Sequence, residues 1–184
     1  MNLLLNKLID DYKEIKKLLL SQGQLSFQVE VDSHFRKTFL ISCGSYHEHE
    51  VKNIVRDFFK KTTTDERTLS FVLNKGVERQ YHTYFVWDKN GKVPNNINNF
   101  LGLFGKMFKE SVSKEIESSE VIKSKMKDFL ELGNLRNLSV HGNFLEFNLE
   151  KTFDELALMN NNAVEFILFI KEKLNEELIT KGFS

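Results

Sequence analysis

Apolar residues return every three or four positions along most of the chain, which is the spacing of one face of an α-helix. Leu4, Leu8, Tyr12, Ile15 and Leu19 form such a stripe, and Gln22-Gly23 ends it, predicting an N-terminal helix within residues 1–23. A longer pattern over residues 25–62 carries Phe35, Phe39, Tyr46, Ile54, Val55, Phe58 and Phe59. Gly44 sits in its middle, so this is one long helix that another backbone approaches closely or a pair joined at a kink. A short helix is expected over Asp65–Gly76. From Ile97 the period resumes through Phe100, Leu101, Phe104 and Phe108, then Ile122, Met126, Phe129, Leu132, Leu135 and Leu138. This predicts helices across residues 97–142. Thr152 with Glu155 reads as a capping box opening a short helix. Asn162 with Glu165 reads as the start of the last one, so residues 152–180 hold the C-terminal helices.

One stretch breaks the rhythm. "YFVWDKNGKV" is β-prone and ends on Asn90-Gly91, a strong two-residue hairpin signal, before Pro94 and the asparagines of "NNINN". A small β-hairpin or irregular excursion is therefore expected around residues 80–96 of an otherwise all-α, compact helical bundle. No repeat or second apolar pattern divides residues 1–184, so one domain is expected.

Composition narrows the picture. Seventeen phenylalanines against one tryptophan and four tyrosines predict a core filled by Phe. Lys+Arg and Asp+Glu are equal at 26, so no global field attracts a polyanion, and any nucleic acid must meet a local basic patch. A single cysteine, Cys43, excludes an internal disulfide and fits a reducing cytoplasm. The leucine-rich start carries Asp10, Asp11 and lysines, unlike a signal peptide, and "AVEFILFI" is too short to cross a bilayer. No membrane partner is expected.

The candidate chemistry is uneven. His47 and His49 in "SYHEHE" point about 200° apart on a helix, and the four-residue spacing of zinc-binding histidines is missing, so no metal site is assigned. They read as a polar patch with Tyr46 turned inward; alternatively His47 or Glu48 faces a site built by another helix. His34 and His82 have no partner nearby in sequence. Lys106, Lys109, Lys114, Lys123, Lys125 and Lys127 read as a solvated face, with a phosphate-holding surface as the alternative. The most informative stretch is "LRNLSVHGNF". Its Arg136 and His141 stand five positions apart, about 140° on a continuous helix, and so do not share a face. Either the helix stops at His141, where Gly142 is a suitable terminator, or a second chain completes the site. The plainer alternative is a surface ion pair for Arg136 and a helix-capping role for His141.

"LGNLRNLSVHGN" resembles the signature of the HEPN superfamily: an arginine, often followed by a polar residue, and a histidine at the end of a bundle helix. Arg136 and His141 match the key positions, Asn137 the polar residue and Gly142 a frequent glycine. "ISCGSYHEHEVKNIVRDFF" is similar to the earlier helix of these domains, and "NINNFLGLFGKMF" to the segment before the motif helix in the RiboL-PSP-HEPN branch. The likeness spans about residues 25–180. It implies a HEPN-type bundle and a homodimeric endoribonuclease whose two motif helices build one composite site. It also implies a reaction without metal or cofactor, and a role as a toxin or antiviral-defence effector, restrained by an antitoxin or other regulatory partner. RNA would be the substrate, with His141 as acid or base and Arg136 as phosphate clamp. Asn137, Ser139 and Asn143 would contact substrate or orient the imidazole, and Glu48 or His47 would assist from the earlier helix. Degenerate members of the superfamily keep the fold without the chemistry and bind RNA, nucleotide or a partner protein.

Overall fold

The computed structural model describes residues 3–87 and 96–180. Helices α1 (Leu3–Ser21) and α2 (Leu25–Thr62) form an antiparallel start, followed by α3 (Glu66–Phe71), which widens into a π-helical turn over Val72–Val77. Short helices α4 (Tyr81–Tyr84) and α5 (Asn98–Gly102) flank the excursion, and α6 (Lys106–Ser118), α7 (Glu120–His141) and α8 (Phe153–Thr180) complete the bundle. Helices α2, α7 and α8 pack on one another as its centre, and α1 lies along α2. No described helix is long and apolar enough to cross a membrane.

Local chemistry sets the helix ends. Gly23, at φ +67°, reverses the chain between α1 and α2. Gly23 N–H donates to the Leu20 carbonyl and Gln24 N–H to that of Leu19, the paired bonds of a Schellman stop. The capping box at α8 forms as expected. Thr152 N–H and Oγ1 each donate to Glu155 Oε2 at 2.8 Å, and Glu155 N–H returns a bond to Thr152 Oγ1 at 3.2 Å. Asn162 opens no new helix, however: α8 runs unbroken, and the Asn162 amide donates to Asp128 on α7 at 2.6 Å. The first-helix stripe is also rotated. Leu5 joins Tyr12 inside while Leu4 and Ile15 are exposed, and Tyr12 stacks on Phe153 and hydrogen-bonds Asp32. Of the excursion, the described part is α4 and one antiparallel bridge, Val86 to Asn96. Asn90-Gly91 and Pro94 lie outside the described residues.

The core is built from phenylalanine. Phe39, Phe100 and Phe166 are essentially inaccessible, and Phe85, Phe129 and Phe166 run through it with centroids 5.2 and 5.7 Å apart. Rings at these spacings add edge-to-face attraction to their burial. Buried polar groups tie the three central helices together. Tyr46 packs partly buried against the core as expected, but His47 of α2 turns fully inward, and its Nε2 bonds Asn160 of α8 at 3.0 Å beside Phe129 of α7. Its neighbour His49 is exposed on the other side. The turn after α7 is pinned by two cations of α2. Lys37 Nζ donates to the Phe144 and Leu145 carbonyls, and Arg36 to those of Leu149 and Lys151.

His47 gives the bundle an acid sensitivity. Burial pushes its imidazole down to about 4, against a smaller opposing effect of the Asn160 bond. In the unfolded chain it titrates near 6.5, so between those values the unfolded state binds the extra proton and stability falls as pH falls. From pH 7 to pH 5 the expected loss is about 2 kcal/mol. Denaturation at the two pH values should show it, and His47→Gln should flatten that dependence; an equal slope in both proteins would assign the acid lability elsewhere.

Candidate active site

Helix α7 delivers the motif. Its last two turns carry Arg136, Asn137 and Leu138, and it ends on His141, with Gly142 N–H donating to the Leu138 carbonyl at 3.0 Å. Gly142 is not in the left-handed conformation usual for a terminating glycine; its φ is −93° and its backbone is extended. The glycine is required for space instead, since a Cβ there would stand 2.9 Å from the Leu138 carbonyl oxygen.

Although α7 is continuous through His141, so that five-residue spacing holds the two groups on different faces, both line the same cleft at its end. It has a volume of about 810 Å³, and Arg136, Asn137, His141 and Glu48 all contribute to its wall. Glu48 comes from α2, and its carboxylate lies 3.5 Å from Arg136 Nη2 while also pairing with Lys52 at 2.8 Å. Arg136 Nη1 donates to Asn137 Oδ1 at 3.1 Å, and its Nε is buried without a partner. A guanidinium has five N–H donors, so Nη1 and Nη2 each keep one beyond these contacts. The arginine reaches the cleft because α2 has a glycine where its stem crosses. A Cβ at Gly44 would lie 2.6 Å from Arg136 Cγ. Gly44 thus lies within an unbroken α2, and what it admits is a side chain rather than another backbone.

Other candidates lie elsewhere. His47 is in the core, on the side of α2 that meets Asn160, and does not line the cleft. Ser139 is fully buried with its hydroxyl unpartnered, facing the packed side of α7. Asn143 is exposed, and its side-chain oxygen accepts the Leu145 N–H at 3.1 Å to shape the turn. Among the six lysines of α6 and α7, Lys106, Lys123 and Lys125 pair with carboxylates, and none of the six lines the cleft.

The cleft has a second wall that sequence reasoning missed, made by Arg79, Tyr81, His82 and Trp87, with Asn134 beside them on α7. Burial and the charge of Glu48 push the Tyr81 phenol well above its usual range, with Arg136 opposing, so its hydroxyl keeps its proton. The available signal was the aromatic density of "YHTYFVW" itself, which reads equally well as a strand. Phosphate-binding groups, an imidazole and an aromatic wall in one cleft suit a nucleotide ligand.

These features define an all-α bundle of HEPN type, with an arginine and a histidine presented at the end of a central helix. The family model for RiboL-PSP-HEPN matches residues 6–176, and the chain belongs to that family. No curated protein and no solved structure matches it. Membership points to a ribonuclease-type or nucleotide-binding function.

Proposed function

We propose that the protein is a metal-independent endoribonuclease, acting as a homodimer with a composite Arg136/His141 site, in the manner of a toxin or antiviral-defence effector. The observation that carries this reading is the shared cleft, lined by both Arg136 and an exposed histidine. A histidine deprotonates the ribose 2′-hydroxyl, whose oxygen attacks the adjacent phosphorus; the P–O5′ bond breaks and a second acid protonates the departing 5′ oxygen. The products are a 2′,3′-cyclic phosphate and a 5′-hydroxyl. Arg136 holds the non-bridging oxygens with its planar fork of donors and stabilises the charge that grows on them. Glu48 aligns the guanidinium, and Asn137 holds its Nη1. Dimerisation is supported by exposed apolar residues around the motif end: Leu138 is 39% exposed, Val140 47% and Leu145 77%. A second chain there covers these residues and supplies the second histidine.

Incubation with total RNA in EDTA tests the reading. The expected result is cleavage leaving cyclic-phosphate and 5′-hydroxyl ends, with DNA untouched because it lacks the nucleophile. Activity that vanishes on chelation and returns with a divalent ion contradicts it. RNA retained but uncut identifies a non-catalytic binding module instead.

A further inference from the structure

The second wall of the cleft has no part in the proton chemistry, yet it is built as carefully as the first. Trp87 lies with its benzo edge on Gly133, where a Cβ would stand 2.4 Å from two ring carbons, so a glycine is needed to admit the indole. Gly133 is three residues before Arg136, roughly 5 Å along the helix axis. The indole is therefore held about one turn from the guanidinium. Phe85 braces it from behind at 5.2 Å and also supports Tyr81 at 5.6 Å. Phe85 is itself buried, stacked on Phe100 and edged by Phe129, so the bracing reaches the rigid core. Trp87 and Tyr81 are the two rings of this series that are not fully buried, and both line the cleft. Arg79 stands on the same rim.

A flat, braced apolar surface beside an anion-binding arginine matches the two ends of a nucleotide. We infer that Trp87, flanked by Tyr81, is the stacking platform for an unpaired nucleobase of the RNA whose phosphate Arg136 holds. The phosphate half of that statement rests on the ribonuclease reading; the stacking half does not require cleavage. A base offers its face only where it is not sandwiched in a duplex, so this wall selects single-stranded or looped RNA. Stacking on one aromatic side chain is worth roughly 5- to 150-fold in affinity.

Trp87 is the chain's only tryptophan, so intrinsic fluorescence reports on this wall alone. The probe is a ten-nucleotide oligoribonucleotide 2′-O-methylated throughout, which cannot be cleaved by 2′-hydroxyl attack. It is compared with the same backbone lacking bases and with its duplex. Saturable quenching by the single strand, with binding at least about 5-fold weaker for the abasic and duplex forms, is the expected result. With a dye-labelled single strand, Trp87→Ala should bind roughly 5- to 150-fold more weakly and Trp87→Phe should fall between it and the wild type. Equal quenching by the abasic backbone, or unchanged affinity in a folded Trp87→Ala, overturns the inference. RNA cleavage in EDTA without base-dependent quenching removes the platform and leaves the ribonuclease. Base-dependent quenching without cleavage removes the ribonuclease and leaves the platform.

Discussion

His141→Ala is expected to lower RNA cleavage by about 10²–10⁴-fold, the usual worth of a general acid or base, while the protein stays folded. The fold should tolerate the change because the His141 side chain is exposed at the last position of α7. Arg136→Ala should produce a loss of similar order through the other half of the reaction, since nothing else on α7 presents a fork of donors to the phosphate. Arg136→Lys keeps the charge but not the fork, and should recover only a small part. The measurement is the initial rate of cyclic-phosphate formation on one RNA, alongside a denaturation curve for each variant. A mixture of the two alanine variants sharpens the test. If the site is composite, a mixed dimer contains one intact Arg136 and one intact His141, and activity rises above that of either variant alone. An undiminished rate in His141→Ala would remove the imidazole from the mechanism, and no rise on mixing would return both groups to a single chain.

Much of the bundle is legible in the sequence because an amphipathic helix must repeat near 3.6 residues wherever it lands. The helices over 25–62 and up to His141 follow from that period and from stop signals that are local. The break placed at Asn162 shows where local reading fails. Asn162 looks like a cap residue, but it is bonded to Asp128 of another helix, as Asn160 is to His47, so the chain has no reason to end its helix there. Helical phase fails similarly for residues near the boundary of a stripe. His47 and Ser139 are polar and belong by type to a site, yet packing of α2 and α7 on α8 turns both inward. Arg136 and His141 are legible as a pair because motif and helix end coincide. Tyr81, His82 and Trp87 are not, because their place in the cleft depends on how the segment between α3 and α5 crosses α7, and no periodicity records that crossing.

Gly44→Ala should separate the position of Arg136 from the stability of the bundle. The new methyl carbon would stand 2.6 Å from Arg136 Cγ, 3.1 Å from its Cβ and 3.4 Å from its Cδ. Contacts that short do not persist, so either the arginine stem moves or α2 and α7 part. The stem is the softer element: it is a chain of methylenes on a side chain one quarter exposed, whereas α2 and α7 are held by the core. Two effects on stability oppose each other. Alanine improves helix propensity by about 1 kcal/mol over glycine, while overpacking costs about 1–3 kcal/mol. The net change is therefore expected to be small, about 2 kcal/mol or less. Catalysis has no such compensation. Displacing the guanidinium by the better part of an ångström moves its donors off the phosphate and away from Glu48, and a misplacement of that size costs about 10²-fold. The loss should appear in kcat more than in KM, because the clamp acts most strongly on charge that exists only in the transition state. Ser45→Ala, the same methyl left on an exposed neighbour, is the control and should leave both quantities unchanged. A Gly44→Ala protein that is markedly less stable yet cleaves at the wild-type rate would show that the helices yield and the arginine does not, and Arg136 would then owe its position to something other than the gap at Gly44.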